Sequence, residues 1–322
     1  MSDSVDIKAL DIRQDLKILV MFLIVQFLGL FFATEIYNGL SLSALQVYQT
    51  SSSPFEPIYY IATIAFMALI IVLLIKKMSG RKILLGLEAI AILLGAFYFF
   101  NFIFGLFISN LYILLVLSIL SAVLVLAVKK KYRGFRNIAT MITCIGLGVV
   151  IGVGLPFYIV MILMFLLAAY DFIMVFITKY MVTMGQAAMD MNLALLVAVG
   201  EVEALPKSEF KQSEVKKFEE HRKKLKEYPK MLDMLDRKGY IPIYGQRALG
   251  NGDMAMPLIV AVSAYTVFQS FLLSMFVVLG AALGLIITFA IQFKYRRPLP
   301  AIPPLLLGIL ISLFIYYIMF LI

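Results

Sequence analysis

Residues 156–178 read PFYIVMILMFLLAAYDFIMVFIT, and Asp171 is the only charged residue in this stretch. A helix of about 20 mostly apolar residues crosses a bilayer, because the hydrocarbon is about 30 Å thick and each residue rises about 1.5 Å. The stretch therefore predicts a transmembrane helix that carries an acidic group inside the membrane.

Similar apolar runs fill the rest of the 322-residue chain, which is 63% hydrophobic and 15% charged. Soluble proteins are nearer half apolar and a quarter charged. The pattern predicts an all-α polytopic membrane protein, and continuous rather than alternating runs exclude a transmembrane barrel. The single cysteine, Cys144, excludes a disulfide scaffold. The nine predicted spans are 18–37, 58–75, 83–104, 109–128, 138–154, 156–178, 251–268, 271–293 and 303–322.

The basic residues predict the orientation of these spans. All 28 Lys and Arg lie in the N-terminal tail and in the loops between spans 2 and 3, 4 and 5, 6 and 7, and 8 and 9. Cytoplasmic loops are the ones enriched in Lys and Arg, which predicts a cytoplasmic N-terminus and an outside C-terminus. The net charge of +9 is thereby explained by orientation and does not indicate a nucleic-acid partner.

The chain divides by sequence into a six-span part, 1–180, a cytoplasmic loop, 181–249, and a three-span part, 250–322. Within the loop, residues 185–200 are apolar but too short to span, which predicts an interfacial helix. Residues 207–238 are dense in Lys and Glu, which predicts a solvated segment with some helix.

Four of the 19 acidic residues fall within predicted spans: Glu35, Glu88, Asp171 and Asp253. An ionisable group inside a membrane is a functional-site hypothesis by default. Glu35 lies near the outer end of span 1 and Glu88 near the inner face, so a structural role, or a side chain that reaches out to water, accounts for both.

Asp171 and Asp253 lie deeper and at matching depth. Asp171 precedes Lys179 by eight residues and Asp253 follows Arg247 by six, which places them about 12 Å and about 9 Å from the inner boundary. Two close carboxyls cannot both ionise, so the pair would share one proton. This is the chemistry of an aspartic protease, in which the carboxylate takes a proton from water and the carboxylic acid polarises the scissile carbonyl.

Two further stretches accompany these acids. Gly250-Asn251-Gly252-Asp253 has two glycines that permit close approach of backbone or substrate, although alone it also fits a loop with a capping Asp. Residues 297–304 hold four prolines, which forbid regular helix and leave carbonyls unpaired. Such backbone is tolerated at membrane depth where it is buried or lines a cavity; the alternative is a stiff interfacial turn.

In this order, Tyr170-Asp171, Gly250-Asn251-Gly252-Asp253 and Pro300-Ala301-Ile302-Pro303 resemble the YD, GxGD and PAL motifs of the presenilin and signal peptide peptidase family of intramembrane aspartyl proteases. The compact loops are most similar to an archaeal presenilin homologue. Two positions depart from the family pattern: Ile302 replaces the Leu of PAL, and Asn251 places an amide at the variable position of GxGD.

The resemblance implies that Asp171 and Asp253 are the catalytic pair of an intramembrane aspartic endopeptidase. It implies that the residues shaping the site or binding substrate are Tyr170, Gly250, Asn251, Gly252, Pro300, Ala301, Ile302 and Pro303. The expected substrates are single-span membrane proteins or peptides in the lipid bilayer, cleaved in or near the transmembrane segment. No metal or cofactor is expected, oligomerisation is not predicted, and the expected location is the prokaryotic cell membrane.

A helical substrate must be unwound before an amide can be attacked, because its backbone is fully hydrogen-bonded. Strand pairing beside the two acids would expose the amide, and residues 185–200 and the end of span 6 are candidate contributors.

Other membrane enzymes lack the residues they need in this sequence. The only histidine, His221, lies in the charged loop, which excludes a zinc HExxH site and a Ser–His pair within the spans. Asp171 and Asp253 have no acidic neighbours at the DxxxD spacing of prenyltransferases. One alternative stays open: a proton- or cation-coupled transporter or channel that uses the two acids as a relay, which gives the proline segment no role.

The predicted orientation leads to a first testable expectation. Substrates whose N-terminus lies outside should be cleaved in preference to the same segment inserted in reverse. The measurement is cleavage of both orientations in liposomes. Equal cleavage rates for the two orientations would contradict the expectation that the predicted topology selects the orientation of the substrate.

Overall fold

The computed structural model describes residues 7–39, 80–177, 193–206, 240–295 and 299–320. These residues form eight α-helices, a 3-10 turn, a π-helical turn and two strands. The helices are α1 (Ile7–Gly39), α2 (Gly80–Gly105), α3 (Leu111–Lys131), α4 (Arg136–Gly154), α5 (Phe157–Phe172), α6 (Asn251–Phe268), α7 (Phe271–Tyr295) and α8 (Ile302–Phe320). The strands are β1 (Leu196–Pro206) and β2 (Tyr240–Gly250).

The prediction of a helical, polytopic membrane protein is confirmed. Six helices of the described residues, α1 to α4, α7 and α8, are long and apolar enough to cross a membrane. Helices α5 and α6 occupy the predicted spans 6 and 7; α5 has only 16 residues, and the 18 residues of α6 include Asn251-Gly252-Asp253. Predicted span 2, 58–75, lies outside the described residues, so the number nine and the orientation stay predictions.

Two compact units make up the described chain. The smaller unit holds the residues before 21 and those from 198 to 248, and in it Arg247 Nη1 donates to both carboxylate oxygens of Asp15 at 2.5 and 2.6 Å. The larger unit holds the residues from 21 to 197 and from 249 onward, including both acids of interest. The three-part division of the chain stays a prediction.

Helix α6 lies at the centre of the larger unit. Eleven of its 18 residues are buried, and it packs against α4, α5, α7 and α8. Glycines allow the neighbouring backbones to approach closely: a Cβ added to Gly29 of α1 would lie 2.5 Å from the Leu258 side chain. In α4, a Cβ on Gly152 would lie 2.7 Å from Val262. Small residues are the usual means of close helix packing in membranes.

Specific residues mark the start of α5 and the end of α6. Pro156 is the N-cap of α5, where its missing N–H costs no hydrogen bond. Gln269 follows α6 with a φ of 50°, and this left-handed residue ends the helix before α7 begins at Phe271. At the same end of α6, the amide of Gln269 donates to the Tyr37 hydroxyl of α1.

The predicted interfacial helix over 185–200 is wrong for residues 193–200, because 193–195 are not helical and β1 begins at Leu196. Residues 185–192, like the charged stretch 207–238, lie outside the described residues. Short apolar runs fit a buried strand as well as a helix, and from Gly200 the order Glu-Val-Glu-Ala-Leu alternates as a strand does. The two strands form a two-stranded sheet, and they are antiparallel because Asn251 N, just after β2, donates to Leu195 O, just before β1.

Helices α7 and α8 meet through glycines. A Cβ on Gly308 of α8 would overlap the carbonyl of Gly280 in α7, and a Cβ on Gly284 would overlap the carbonyl of Pro304. Because these neighbours are backbone atoms, a side chain there can be accommodated only if the two helices separate.

We therefore expect Gly308→Ala to lower the free energy of unfolding by about 1–3 kcal/mol through overpacking. The measurement is thermal unfolding of the protein in detergent. Gly86→Ala is the matched control, because no atom lies within 4 Å of a Cβ added at that exposed position of α2. Equal melting temperatures for the two variants would contradict the close contact.

Candidate active site

Asp171 lies in the last turn of α5, and its side chain is buried, with 2% of the residue exposed. The backbone N–H of Ile302 donates to its Oδ2 at 3.3 Å, and the N–H of Ala301 also faces it. Ile302 is the first residue of α8. The carboxylate therefore lies at a helix N-terminus, where unpaired N–H groups and the helix dipole favour negative charge.

Directly after Asp171, the helix widens into the π-helical turn Ile173–Ile177. Single π turns within α-helices are rare and are frequently found at functional sites. The end of predicted span 6 is therefore irregular where the buried acid lies.

Asp253 is the third residue of α6, and its side chain turns back toward the start of the helix. Its Oδ2 accepts a hydrogen bond from the backbone N–H of Gly250 at 3.2 Å. This is the carboxylate half of a capping box, since Gly250 has no side chain to complete it. A Cβ on Gly250 would lie 3.1 Å from the same Oδ2, so a glycine leaves room for the carboxylate.

The two acids lie on helices that pack against each other. Asp171 is on α5 and Asp253 on α6, and both helices also pack against α8. Ala301 and Ile302 complete the group, since their N–H groups face Asp171. The backbone N–H groups at the starts of α6 and α8 supply positive partial charge to the two acids.

The proline segment is partly helical, which corrects one expectation. Pro303 and Pro304 lie in the first turn of α8, although the four prolines were expected to forbid regular helix. The reason is that first-turn N–H groups have no partner within the helix, so a proline there removes nothing. Pro300, Ala301 and Ile302 are buried, as irregular backbone at membrane depth should be.

Asn251 connects the start of α6 to the segment before β1. Its Nδ2 donates to Ala194 O at 2.9 Å and its backbone N–H donates to Leu195 O at 3.1 Å. The Cys144 thiol lies 3.7 Å from the Asn251 carbonyl. Gly252 faces open space, because no atom lies within 4 Å of a Cβ added there. The amide at the variable GxGD position thus holds neighbouring backbone in place.

Three other candidates of the sequence analysis differ in exposure. Tyr170 is 53% exposed on α5, next to the buried Asp171. Glu35 is exposed at the end of α1. Glu88 does not reach water: it is buried and paired with Lys129 at the end of α3. The structural role considered for Glu88 is therefore the one the structure shows.

Sequence reasoning missed Gln26, a fully buried residue of α1 whose Nε2 donates to Met254 O at 2.9 Å. Met254 directly follows Asp253. In the same turn, the Asp253 carbonyl has no donor within the helix, because Pro257 lacks an N–H. An amide within the apolar run 18–37 was the available signal, but only charged residues were considered inside the spans.

Comparison with known proteins assigns the family. Residues 19–322 match the family described as signal-peptide peptidase, presenilin aspartyl protease. No curated protein matches the sequence significantly. Two solved structures of a presenilin family intramembrane aspartate protease have a similar fold. The one in the C222 space group has 19% identity and a TM-score of 0.54, and covers 93% of this chain and 95% of its own. The one in the P2 space group has 19% identity and a TM-score of 0.59, and covers 93% and 96%.

The chain therefore belongs to the signal peptide peptidase and presenilin family of intramembrane aspartyl proteases. It is an integral membrane protein and an aspartic endopeptidase of a family that acts on membrane proteins within the bilayer. The predicted membership of this family is confirmed. The transporter alternative is not favoured, because the family match covers nearly the whole chain.

The hydrogen bond from Ile302 to Asp171 can be removed with little change to the fold. Proline is tolerated at the first helical position, so Ile302→Pro should keep α8 while deleting the N–H. We expect cleavage to fall about 10- to 100-fold, the usual effect of losing a hydrogen bond to a charged group.

Ile302→Leu is the matched control, because it keeps the N–H and changes only the shape of the side chain. The measurement is the cleavage rate of a membrane peptide, with thermal unfolding recorded in parallel. Equal rates for the Pro and Leu variants would show that this donor is dispensable.

Proposed function

We propose that Asp171 and Asp253 form a catalytic dyad that hydrolyses peptide bonds in or near the transmembrane segments of membrane proteins. The observation that carries the proposal is the meeting of two acids from α5 and α6. Each accepts from a backbone N–H at the start of a helix, and the two helices that carry them pack against each other. Ionisable groups inside a membrane are costly and are therefore functional-site hypotheses by default.

In the proposed mechanism, the two carboxyls share one proton. The ionised one takes a proton from a water molecule, and the resulting nucleophile attacks the scissile carbonyl. The protonated one donates a hydrogen bond to that carbonyl and stabilises the developing negative charge. The C–N bond of the resulting intermediate then breaks, and the carboxyl that took the proton from water gives it to the leaving amine. We assign the proton to the pair and not to one residue, since close acids titrate together.

The donors around Asp171 fit this mechanism. The N–H groups of Ala301 and Ile302 hold its carboxylate in a fixed position. Fixed donors need no reorganisation when charge moves during the reaction, which is the main source of electrostatic catalysis. The proposed role of the Pro300-Ala301-Ile302-Pro303 segment is therefore to hold Asp171 and to shape the wall beside it.

The substrate must present an extended backbone to the dyad. β2 ends at Gly250, three residues before Asp253, and β1 begins at Leu196, close to the link between Leu195 and Asn251. A peptide that pairs as a strand with Leu196–Val197 or Leu249–Gly250, which belong to the same unit as Asp253, would lie unwound next to that acid. Main-chain pairing of this kind recognises many sequences, which suits a protease that acts on diverse spans.

The proposed substrates are single-span membrane proteins or peptides in the lipid bilayer. The proposed location is a prokaryotic cell membrane, with residues 181–249 on the cytoplasmic side. The six-span and three-span parts would then each contribute one acid. Asn251 and the two GxGD glycines are proposed to shape the site around Asp253, through the contacts described above.

The test is cleavage of a single-span peptide by the purified protein in liposomes, with products identified by mass spectrometry. Asp171→Asn and Asp253→Asn should each reduce cleavage to the uncatalysed background. Each variant keeps an oxygen that can accept the existing backbone hydrogen bond but cannot supply the acid–base pair. Thermal unfolding of each variant checks that the fold is kept.

Glu35→Gln is the matched control, since it removes an acid of a predicted span that the structure leaves exposed at the end of α1. It should cleave at the wild-type rate. Full activity in either Asn variant would refute the dyad. Proton or cation flux without cleavage, lost in both Asn variants, would instead support the transporter alternative.

A further inference from the structure

A second group of buried polar residues lies outside the dyad. Glu88 of α2 and Lys129 of α3 form an ion pair, and the two side chains are 4% and 8% exposed. The same Glu88 oxygen accepts a hydrogen bond from the backbone N–H of Ala194 at 2.5 Å. Removing two charges from water is costly, so a pair of this kind is weak evidence for stability by itself. The hydrogen bond from the Ala194 N–H also connects this ion pair to the segment before β1.

The Leu193–Val197 segment is held on two sides. Leu193, Ala194, Leu196 and Val197 are all buried. On one side the Ala194 N–H bonds to Glu88. On the other, the carbonyls of Ala194 and Leu195 accept from the side chain and backbone of Asn251. Asn251 stands two residues before Asp253.

We propose that Glu88, fixed by Lys129, is a positioning residue for Asp253. The Glu88 oxygen fixes the N–H of Ala194, and the adjoining carbonyls fix Asn251 at the first residue of α6. The backbone N–H of Gly250, which donates to the Asp253 carboxylate, is then held in place as well. Neither Glu88 nor Lys129 touches the dyad. The proposal rests on the proposed function, because positioning matters only if Asp253 is catalytic.

Two double variants separate this role from simple stabilisation. Glu88→Gln with Lys129→Met removes both charges but keeps an oxygen that can accept from Ala194. Glu88→Leu with Lys129→Met removes the charges and the acceptor together. Replacing a whole buried ion pair by apolar residues is often neutral for stability, whereas single variants would strand a buried charge. Both double variants should therefore fold, and their melting temperatures check this.

We expect the Leu/Met variant to have kcat about 10- to 100-fold lower than the Gln/Met variant, because a small displacement of a catalytic group can cost about 100-fold in rate. KM should change far less, because the substrate does not contact these residues. A loss of melting temperature without this kcat difference would overturn the proposal. Equal kcat in both variants and the wild type would overturn it as well.

Hydrogen exchange supplies a measurement that does not need activity. In the Asp253→Asn background, amides of the Leu193–Val197 segment should exchange about 10-fold or more faster in the Leu/Met variant than in the Gln/Met variant. Equal protection would refute the anchor even if the dyad is correct. If the anchor is seen but Asp253→Asn still cleaves in the wild-type background, the proposed function fails and the anchor is structural only.

Discussion

Two carboxyl groups must be held inside a membrane, and backbone N–H groups meet this demand. Asp171 lies against the first residue of α8 and Asp253 turns back onto the start of α6. A helix N-terminus carries about half a positive charge, enough to hold an acid in place but too little to neutralise it as a lysine would. Their positions are only as fixed as the starts of the two helices, so the packing of α5, α6 and α8 determines where the two carboxyl groups lie.

Backbone groups near Asp253 are in turn held by polar side chains. Irregular backbone at membrane depth needs partners that water does not supply. The Leu193–Val197 segment finds them in Glu88 and Asn251. In the first turn of α6, the Met254 carbonyl accepts from the side chain of Gln26. Polar side chains from three different parts of the chain therefore bind backbone groups within a few residues of Asp253.

Hydropathy predicted the spans because crossing a bilayer sets a minimum length of apolar helix, and the acids stood out because charge inside a span is rare. The ordered motifs then identified the family. Other features could not be predicted from the sequence. A short run such as 193–200 fits helix and strand alike, and its strand pairing depends on residues some 50 positions later. The donors to Asp171 are backbone atoms and have no sequence signature. The Glu88–Lys129 pair joins residues 41 positions apart, so only the packing of α2 against α3 reveals it.

The prolines that open α8 have a consequence for any peptide that binds beside Asp171. Between Pro300 and Pro304, three residues have no N–H, and the two that do, Ala301 and Ile302, direct theirs at the acid. This edge of the site therefore has no N–H to offer a bound backbone, and the Ala301 carbonyl already accepts from the N–H of Leu305 at 3.2 Å. A peptide lying beside Asp171 would have to be held by other parts of the site.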